Sequence, residues 1–375
     1  MRTVIGDSPL PELGHCSQLA PALSVAGDKP VLQPISFSGE GRNRMAGERY
    51  VDHKVLKAFA QSKVNVPPGE AKERRRQVNH LRQRLEGYIA AHPDFDLVKL
   101  RASGSTAKHT AIRRKSGTGS DADVAAYLHT SNTGIDVSTM LTWLRDRCIE
   151  VYGATKDEGD FKPSDHAVGI TMSSGLKIDV VPVLYTGEPD DRGYLVTADG
   201  TKVLTSVTLH LQFMTTRKDK AGDGYREVIR LLKAWVRQSK EADTELRCKS
   251  FLLELLVAHL WDVGWNGKPL QVDDYPAAIE QVLSYIVRTG LKTPIVFTDY
   301  YKTDVVDATT EPIQIWDPVN PENNVARGYT EEHRQRLGNQ ARRTLDTISM
   351  AAYAATKGEA LDAWRELFGP TFPGE

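Results

Sequence analysis

From Tyr50 onward the apolar positions recur with regular periods. Across Lys72 to Ala91, Val78, Leu81, Leu85 and Ile89 are spaced by three and four residues, which predicts a helix with one buried face. Its other face carries Arg74, Arg75, Arg76, Arg82 and Arg84. Short apolar runs at Val98–Ser103, Asp123–Leu128, Ala167–Met172 and Leu176–Leu184 read as strands, the last two joined by a Ser-Ser-Gly turn at 173–175. Ile135 to Val151 reads as a helix. After about Thr205 the pattern turns helical, over 222–240, 247–263, 275–290 and a long stretch from Thr330 to Lys357. The prediction is an α+β chain in which a mixed sheet with helices (45–205) precedes a mostly helical lobe (206–375). No internal repeat is present. Residues 1–44 carry five prolines, five glycines and no periodic apolar pattern, which predicts a disordered extension.

Composition narrows the function classes. Of 375 residues, 40% are hydrophobic and 26% charged, the balance of a globular protein. Lysine plus arginine (48) nearly cancel aspartate plus glutamate (49), which excludes a wholly cationic clamp for nucleic acid but not a local patch. The richest apolar stretch, Phe251 to Trp261, is interrupted by Glu254 and His259, well short of the ~20 residues that cross a bilayer. Cys16, Cys148 and Cys248 are too few for a disulfide framework or a zinc site. With no secretory leader pattern, the expected location is cytoplasmic, with no membrane partner.

Three carboxylates carry the candidate chemistry. Asp121 and Asp123 stand two apart at the entrance to an apolar strand, so both project to one face. Two adjacent like charges are unfavourable without a cation. Asp179 sits within the apolar strand Lys177-Ile-Asp-Val-Val-Pro-Val183, where an unpaired charge is expensive to bury. If that strand lies beside 123–128, three carboxylates converge. Such a set suits two Mg²⁺ ions about 4 Å apart, one activating a hydroxyl and one steadying a nucleoside triphosphate.

Other residues offer phosphate contacts. Gly104-Ser105 follows a strand, and a glycine lets backbone approach a phosphate closely, although the same pair makes an ordinary turn. Along 226–237 the cations Arg226, Arg230, Lys233 and Arg237 form a stripe beside the apolar one. Lys249-Ser250-Phe251 opens the next helix. Its N–H groups and the Ser250 hydroxyl suit phosphate, and Phe251 suits either a base or the core.

The order of these motifs resembles the 2′-5′-oligoadenylate synthase and cGAS-like nucleotidyltransferases, above all the bacterial CD-NTases of CBASS anti-phage systems, and within them clade C. It rests on Gly104-Ser105, Asp121-Ala-Asp123, Lys177-Ile-Asp179, Arg230-Leu-Leu-Lys233, Lys249-Ser250-Phe251 and Ile315-Trp-Asp-Pro-Val-Asn-Pro-Glu-Asn-Asn-Val325, and spans roughly residues 50–372. The resemblance implies a polymerase-β-like core, a cleft against the helical lobe, and an enzyme making a cyclic oligonucleotide second messenger, cyclic tri-adenylate first among candidates. It implies that Asp121, Asp123 and Asp179 hold Mg²⁺ (or Mn²⁺) and that Gly104 and Ser105 meet the triphosphate. Lys233, Lys249 and Ser250 would grip donor phosphates, Phe251 would stack on the base, and Asp317 to Val325 would brace the cleft. Implied partners are ATP and other nucleoside triphosphates, a HORMA-domain activator, a nuclease effector that answers the product, and double-stranded DNA, for which Arg74, Arg75 and Arg76 offer a surface. His109 departs from the Gly-Ser-x-x-x-Gly-Thr pattern, which usually has glycine there. Two other readings stay open at this stage: linear oligoadenylate or nucleotide addition to an RNA end or protein, and a nucleotide sensor without chemistry.

Overall fold

The computed structural model describes residues 49–89, 95–114, 121–131, 136–306 and 309–373. The extension expected over 1–44 lies outside the described residues. Chain order begins with α1 (His53–Phe59), which continues as a short π-helical turn over Ala60–Val64, and α2 (Pro68–Ile89). Then come β1 (Asp96–Ser103), the single turn α3 (Gly104–Ala107), β2 (Asp121–His129) and α4 (Met140–Tyr152). Five strands follow: β3 (Phe161–Pro163), β4 (Val168–Thr171), β5 (Lys177–Tyr185), β6 (Gly193–Val196) and β7 (Lys202–Thr205). Six helices complete the chain: α5 (Val207–Ala221), α6 (Gly224–Ala242), α7 (Ser250–Val263), α8 (Tyr275–Thr289), α9 (Glu331–Ala352) and α10 (Lys357–Phe368).

The strands form one sheet in the order β1-β2-β5-β4-β3, with β6 on β5 and β7 on β6. β2 and β5 run parallel, which requires a crossover connection; here α4, β3 and β4 lie between them in sequence. Even-numbered residues of β2 (Ala122, Val124, Ala126, Leu128) and of β5 (Ile178, Val180) pack with the α2 stripe of Val78, Leu81, Leu85 and Ile89 and with α4 in one apolar core. That core frees the odd-numbered face of both strands for polar work. A second core joins α6, α7, α8 and the helices after them, and takes in Leu56, Phe59 and Val64 from the first helix and its π turn.

Local chemistry sets the helix ends. Asp52, Ser206 and Asp274 cap α1, α5 and α8 with their side-chain oxygens. The helix expected from Thr330 to Lys357 divides into α9 and α10. Thr356 restarts it in a capping box with Glu359, so the chain leaves helical geometry before that point. Helix α5 escaped the sequence pattern because its second half, Thr215 to Lys220, is almost wholly polar. Strands β3, β6 and β7 are too short to register a period of two. No described helix is long and apolar enough to cross a membrane.

Candidate active site

The register of β2 on β5 brings the three aspartates to one face. Asp123 lies directly opposite Asp179, and Asp121 opposite Lys177. Side chains two apart on a strand share a face, and directly opposed residues on neighbouring strands do too. All three carboxylates therefore point away from the apolar core. Two glycines make room for them. A Cβ on Gly104 would lie 1.7 Å from Oδ2 of Asp123, and Gly104 also has φ +62°, so no other residue fits there without displacement. A Cβ on Gly169, across β4 from Asp179, would come within 3.0 Å of Oδ1 of that carboxylate.

These residues open onto a cavity of about 660 Å³ between the sheet and helices α6 and α7. Ser105, Asp121, Asp123, Asp179, Lys233 and Ser250 line it. So do Arg74, Arg114, Arg237 and Lys240, of which only Arg74 and Arg237 carried a sequence signal, as members of basic faces. Lys249 and Phe251 do not line this cavity. Lys249 donates to the Val325 carbonyl at 3.2 Å, and Phe251 is half-buried between Lys108, 4.2 Å above its ring, and His210 at its edge.

The cleft mixes charges tightly. Arg114 pairs with Asp121, and Lys177 lies 3.2 Å from Oδ1 of Asp179. Burial, then the charge on Asp179, pushes the Asp123 carboxyl above the usual aspartate value. Burial, then Arg74, pulls Arg114 below the usual arginine value. Among the described residues no three carboxylate, imidazole or thiol groups form a ready-made metal cage. The donor set nonetheless suits a hard divalent cation: three carboxylates share a face, and the outer two already lean on cations that stand in for metal charge.

Comparison with known proteins follows the same outline. The family described as Second Messenger Oligonucleotide or Dinucleotide Synthetase domain matches residues 51–205. The family described as 2'-5'-oligoadenylate synthetase 1, domain 2, C-terminus matches residues 194–367. The chain is 39% identical over 327 residues to the cyclic AMP-AMP-AMP synthase of Escherichia coli strain MS 115-1, covering 87% of this chain and 99% of that one. The chain belongs to the CD-NTases, the oligonucleotide cyclases of CBASS. The solved structure of E. coli MS115-1 CdnC with ATP superposes with a TM-score of 0.77 at 39% identity, covering 87% of this chain and all of that one. The same holds, with 99% of that chain covered, for the CdnC:HORMA-deltaN complex. The CD-NTase is thus a nucleotidyltransferase of a family that works with divalent metal ions.

In this CD-NTase three members of the basic stripe of α6 hold the segment that follows Ser105. Arg230 donates twice to the His109 carbonyl, at 3.1 and 2.7 Å, and Arg237 donates to the Arg113 carbonyl. Lys233 lines the cleft, but its three donors are already used, on Thr110 O (3.1 Å), Thr110 Oγ1 (2.9 Å) and Glu254 Oε1 (2.6 Å). Glu254 in turn accepts from Lys108 at 2.9 Å. Burial opposes the charge on Glu254, yet Lys108 and Lys233, with the Thr110 hydroxyl, hold its carboxyl down to about 2. Three cations and one carboxylate therefore fasten residues 108–113, the segment following Ser105, to the helical part. Position 109 has φ +58°, the left-handed geometry that favours glycine, and here histidine adopts it.

The arginines of α2 do not form one surface. Arg74 is buried, pairs with Glu70 and lines the cleft; Arg76 pairs with Glu73 at 2.6 Å. Arg84 donates to the Val151 carbonyl and covers the Tyr152 ring at 4.6 Å. The basic face is spent largely on local pairs, as adjacent acids and carbonyls at helical spacing favour. The segment from Ile313 to Val325 is tied down by polar contacts. Buried Asp317 accepts from His210 at 2.8 Å and from the Val319 N–H at 2.9 Å. Asn320 reaches the Leu204 carbonyl at 3.1 Å, so the segment bridges β7 and α5.

Proposed function

We propose that this CD-NTase joins ATP into cyclic tri-adenylate, the product that the name of its E. coli relative prints. The observation that carries the chemistry is the opposition of Asp123 and Asp179, with Asp121 two residues away on the same face and Gly104-Ser105 against Asp123. In this reading Asp121, Asp123 and Asp179 hold two Mg²⁺ ions, with Mn²⁺ as a substitute. Bound there, the metals supply Lewis-acid stabilisation of the triphosphate and lower the pKa of an attacking ribose hydroxyl.

The chain's own groups do the rest. Ser105 and Ser250 contact the triphosphate from the two sides of the cleft. Asp179, beside the acceptor, takes the proton of the ribose hydroxyl as that oxygen attacks the α-phosphorus in line. The α–β bridging bond breaks, and pyrophosphate leaves with its added charge facing Arg74, Arg114 and Arg237. Lys233 contributes a fixed positive field, its own donors staying on Thr110 and Glu254. Phe251 and Lys249 reach nucleotide only from outside the cavity wall.

The likeness to CdnC in complex with HORMA supports a HORMA-domain activator and assignment to clade C. A nuclease effector that answers the product belongs to the same reading, as does a cytoplasmic location. For double-stranded DNA, Arg75 offers the one cation of the Arg74–Arg76 trio that is both exposed and unpaired.

The test is Asp121→Asn combined with Asp123→Asn, assayed with labelled ATP, Mg²⁺ and the cognate HORMA-domain protein. Wild-type protein is expected to yield a phosphatase-resistant product with the mass of cyclic tri-adenylate, and the double variant none. Resistant product from the double variant would remove the site assignment, and another mass would remove the product assignment.

A further inference from the structure

Beside the active cleft lies a second cavity of about 460 Å³, bounded by α2, the π-helical turn and the segment around His109. The two cavities share the walls Arg74 and Ala111. Its lining includes three arginines, Arg74, Arg75 and Arg230, and no acidic side chain. The carboxylates that pair with two of them, Glu70 and Glu227, stand outside its wall. Arg75 has no ion-pair partner among the described residues and lines this cavity but not the active one.

One buried donor there lacks a partner among the described residues: the side chain of Arg74 is only 6% exposed, and its Nε donates to nothing. Such a buried orphan is costly unless an acceptor in the space completes it. The field is positive as well. Burial, then the charges of Arg226, Arg75 and Arg230, depress the His109 imidazole below the usual histidine value. A guanidinium cluster, here Arg74, Arg75 and Arg230, matches the geometry and charge of phosphoryl oxygens.

We propose that this second cavity binds a polyphosphate anion, either free pyrophosphate or the phosphate tail of a nucleotide, and that Arg74 links its occupancy to the active cleft. The proposal rests neither on the identity of the cyclic product nor on the metal ligands.

Inorganic tripolyphosphate, which carries no base, is the probe. Calorimetric titration of the full chain in EDTA is read through Arg75, which lines the second cavity and not the first. The wild-type protein is expected to bind one equivalent, and Arg75→Glu to weaken binding at least tenfold. Absence of binding to the wild type, or a loss smaller than tenfold, overturns the proposal. Circular dichroism melts report whether Arg75→Glu folds; if it does not, Arg75→Ala is read instead, with threefold as the dividing loss. Competition then names the source. Displacement of tripolyphosphate by ATP at lower concentration than by pyrophosphate identifies a nucleotide, and the reverse order identifies the free anion.

Discussion

Asp123 occupies the space that any side chain on residue 104 would need. Its Oδ2 lies 1.7 Å from where a Cβ on Gly104 would sit, and the backbone at Gly104 is left-handed at φ +62°. The turn that presents Ser105 and the carboxylate opposite Asp179 are thereby locked to each other by steric fit, beside the pairing of Ser103 with Asp123.

Gly104→Ala should therefore displace the Asp123 carboxylate and strain the turn together. The expected outcome is a loss of cyclic product of at least a hundredfold, with stability reduced by about 1–3 kcal/mol. Mass-spectrometric product yield beside a urea unfolding curve separates the two effects. Near-normal yield would mean that Asp123 tolerates a different position.

Arg114 competes for the carboxylate that a metal would use. Replacing Arg114 by glutamine removes the cation paired with Asp121 and leaves that oxygen free. Mn²⁺ binding without nucleotide, read by electron paramagnetic resonance, should tighten several-fold in Arg114→Gln. Weaker binding in the variant would show that the arginine supports the site rather than screening it.

The buried Glu254 gives a pH-dependent prediction. Its carboxyl is held down to about 2 in the folded chain, against ~4.3 for a free glutamate. A depressed carboxyl contributes stability that is fully present above the free value and lost as pH falls through the folded one. Glu254→Gln strands Lys233 and Lys108, and should cost about 3–5 kcal/mol at pH 7. The gap between wild type and variant in urea midpoint should close as pH falls from about 5 toward 2. A gap independent of pH would mean that folding does not depress the Glu254 carboxyl.

His109 holds a left-handed backbone that costs an ordinary side chain about 1–2 kcal/mol. His109→Gly should leave stability equal or raised, while His109→Val should lower it by about 1–2 kcal/mol, since a β-branched residue tolerates that region least. Thermal denaturation of the pair checks the ordering. Equal losses in both would mean that the imidazole itself holds the segment.

The face that carries the three aspartates was legible in the sequence because strand periodicity is local: residues 121, 123 and 179 each belong to an apolar strand whose alternation fixes their face. The parallel pairing that sets Asp123 against Asp179 was inferred only as a condition, since register between distant strands leaves no local trace. The stripe of Arg226, Arg230, Lys233 and Arg237 was visible too, but not its destination. Periodicity shows that cations share a side of a helix, and cannot show that the carbonyls of His109, Thr110 and Arg113 wait there. The places of Lys249 and Phe251 outside the lining of the cleft were hidden for a related reason. Position next to Ser250 does not determine direction, and a helix turn carries neighbours to different sides. Arg114 had no signal, because one cation within the run Arg113-Arg114-Lys115 looks like any solvated one.

Helix α6 grips the segment through carbonyl oxygens, atoms that every amino acid supplies alike. Drift in the identity of residues 109, 111 and 113 therefore leaves the attachment intact, provided that the path of the chain survives. Positions 230, 233 and 237 have no such freedom, since only a long cationic arm spans the gap. The constraint of sequence falls on one partner of each bond, which leaves room for a histidine in a turn whose left-handed backbone suits glycine.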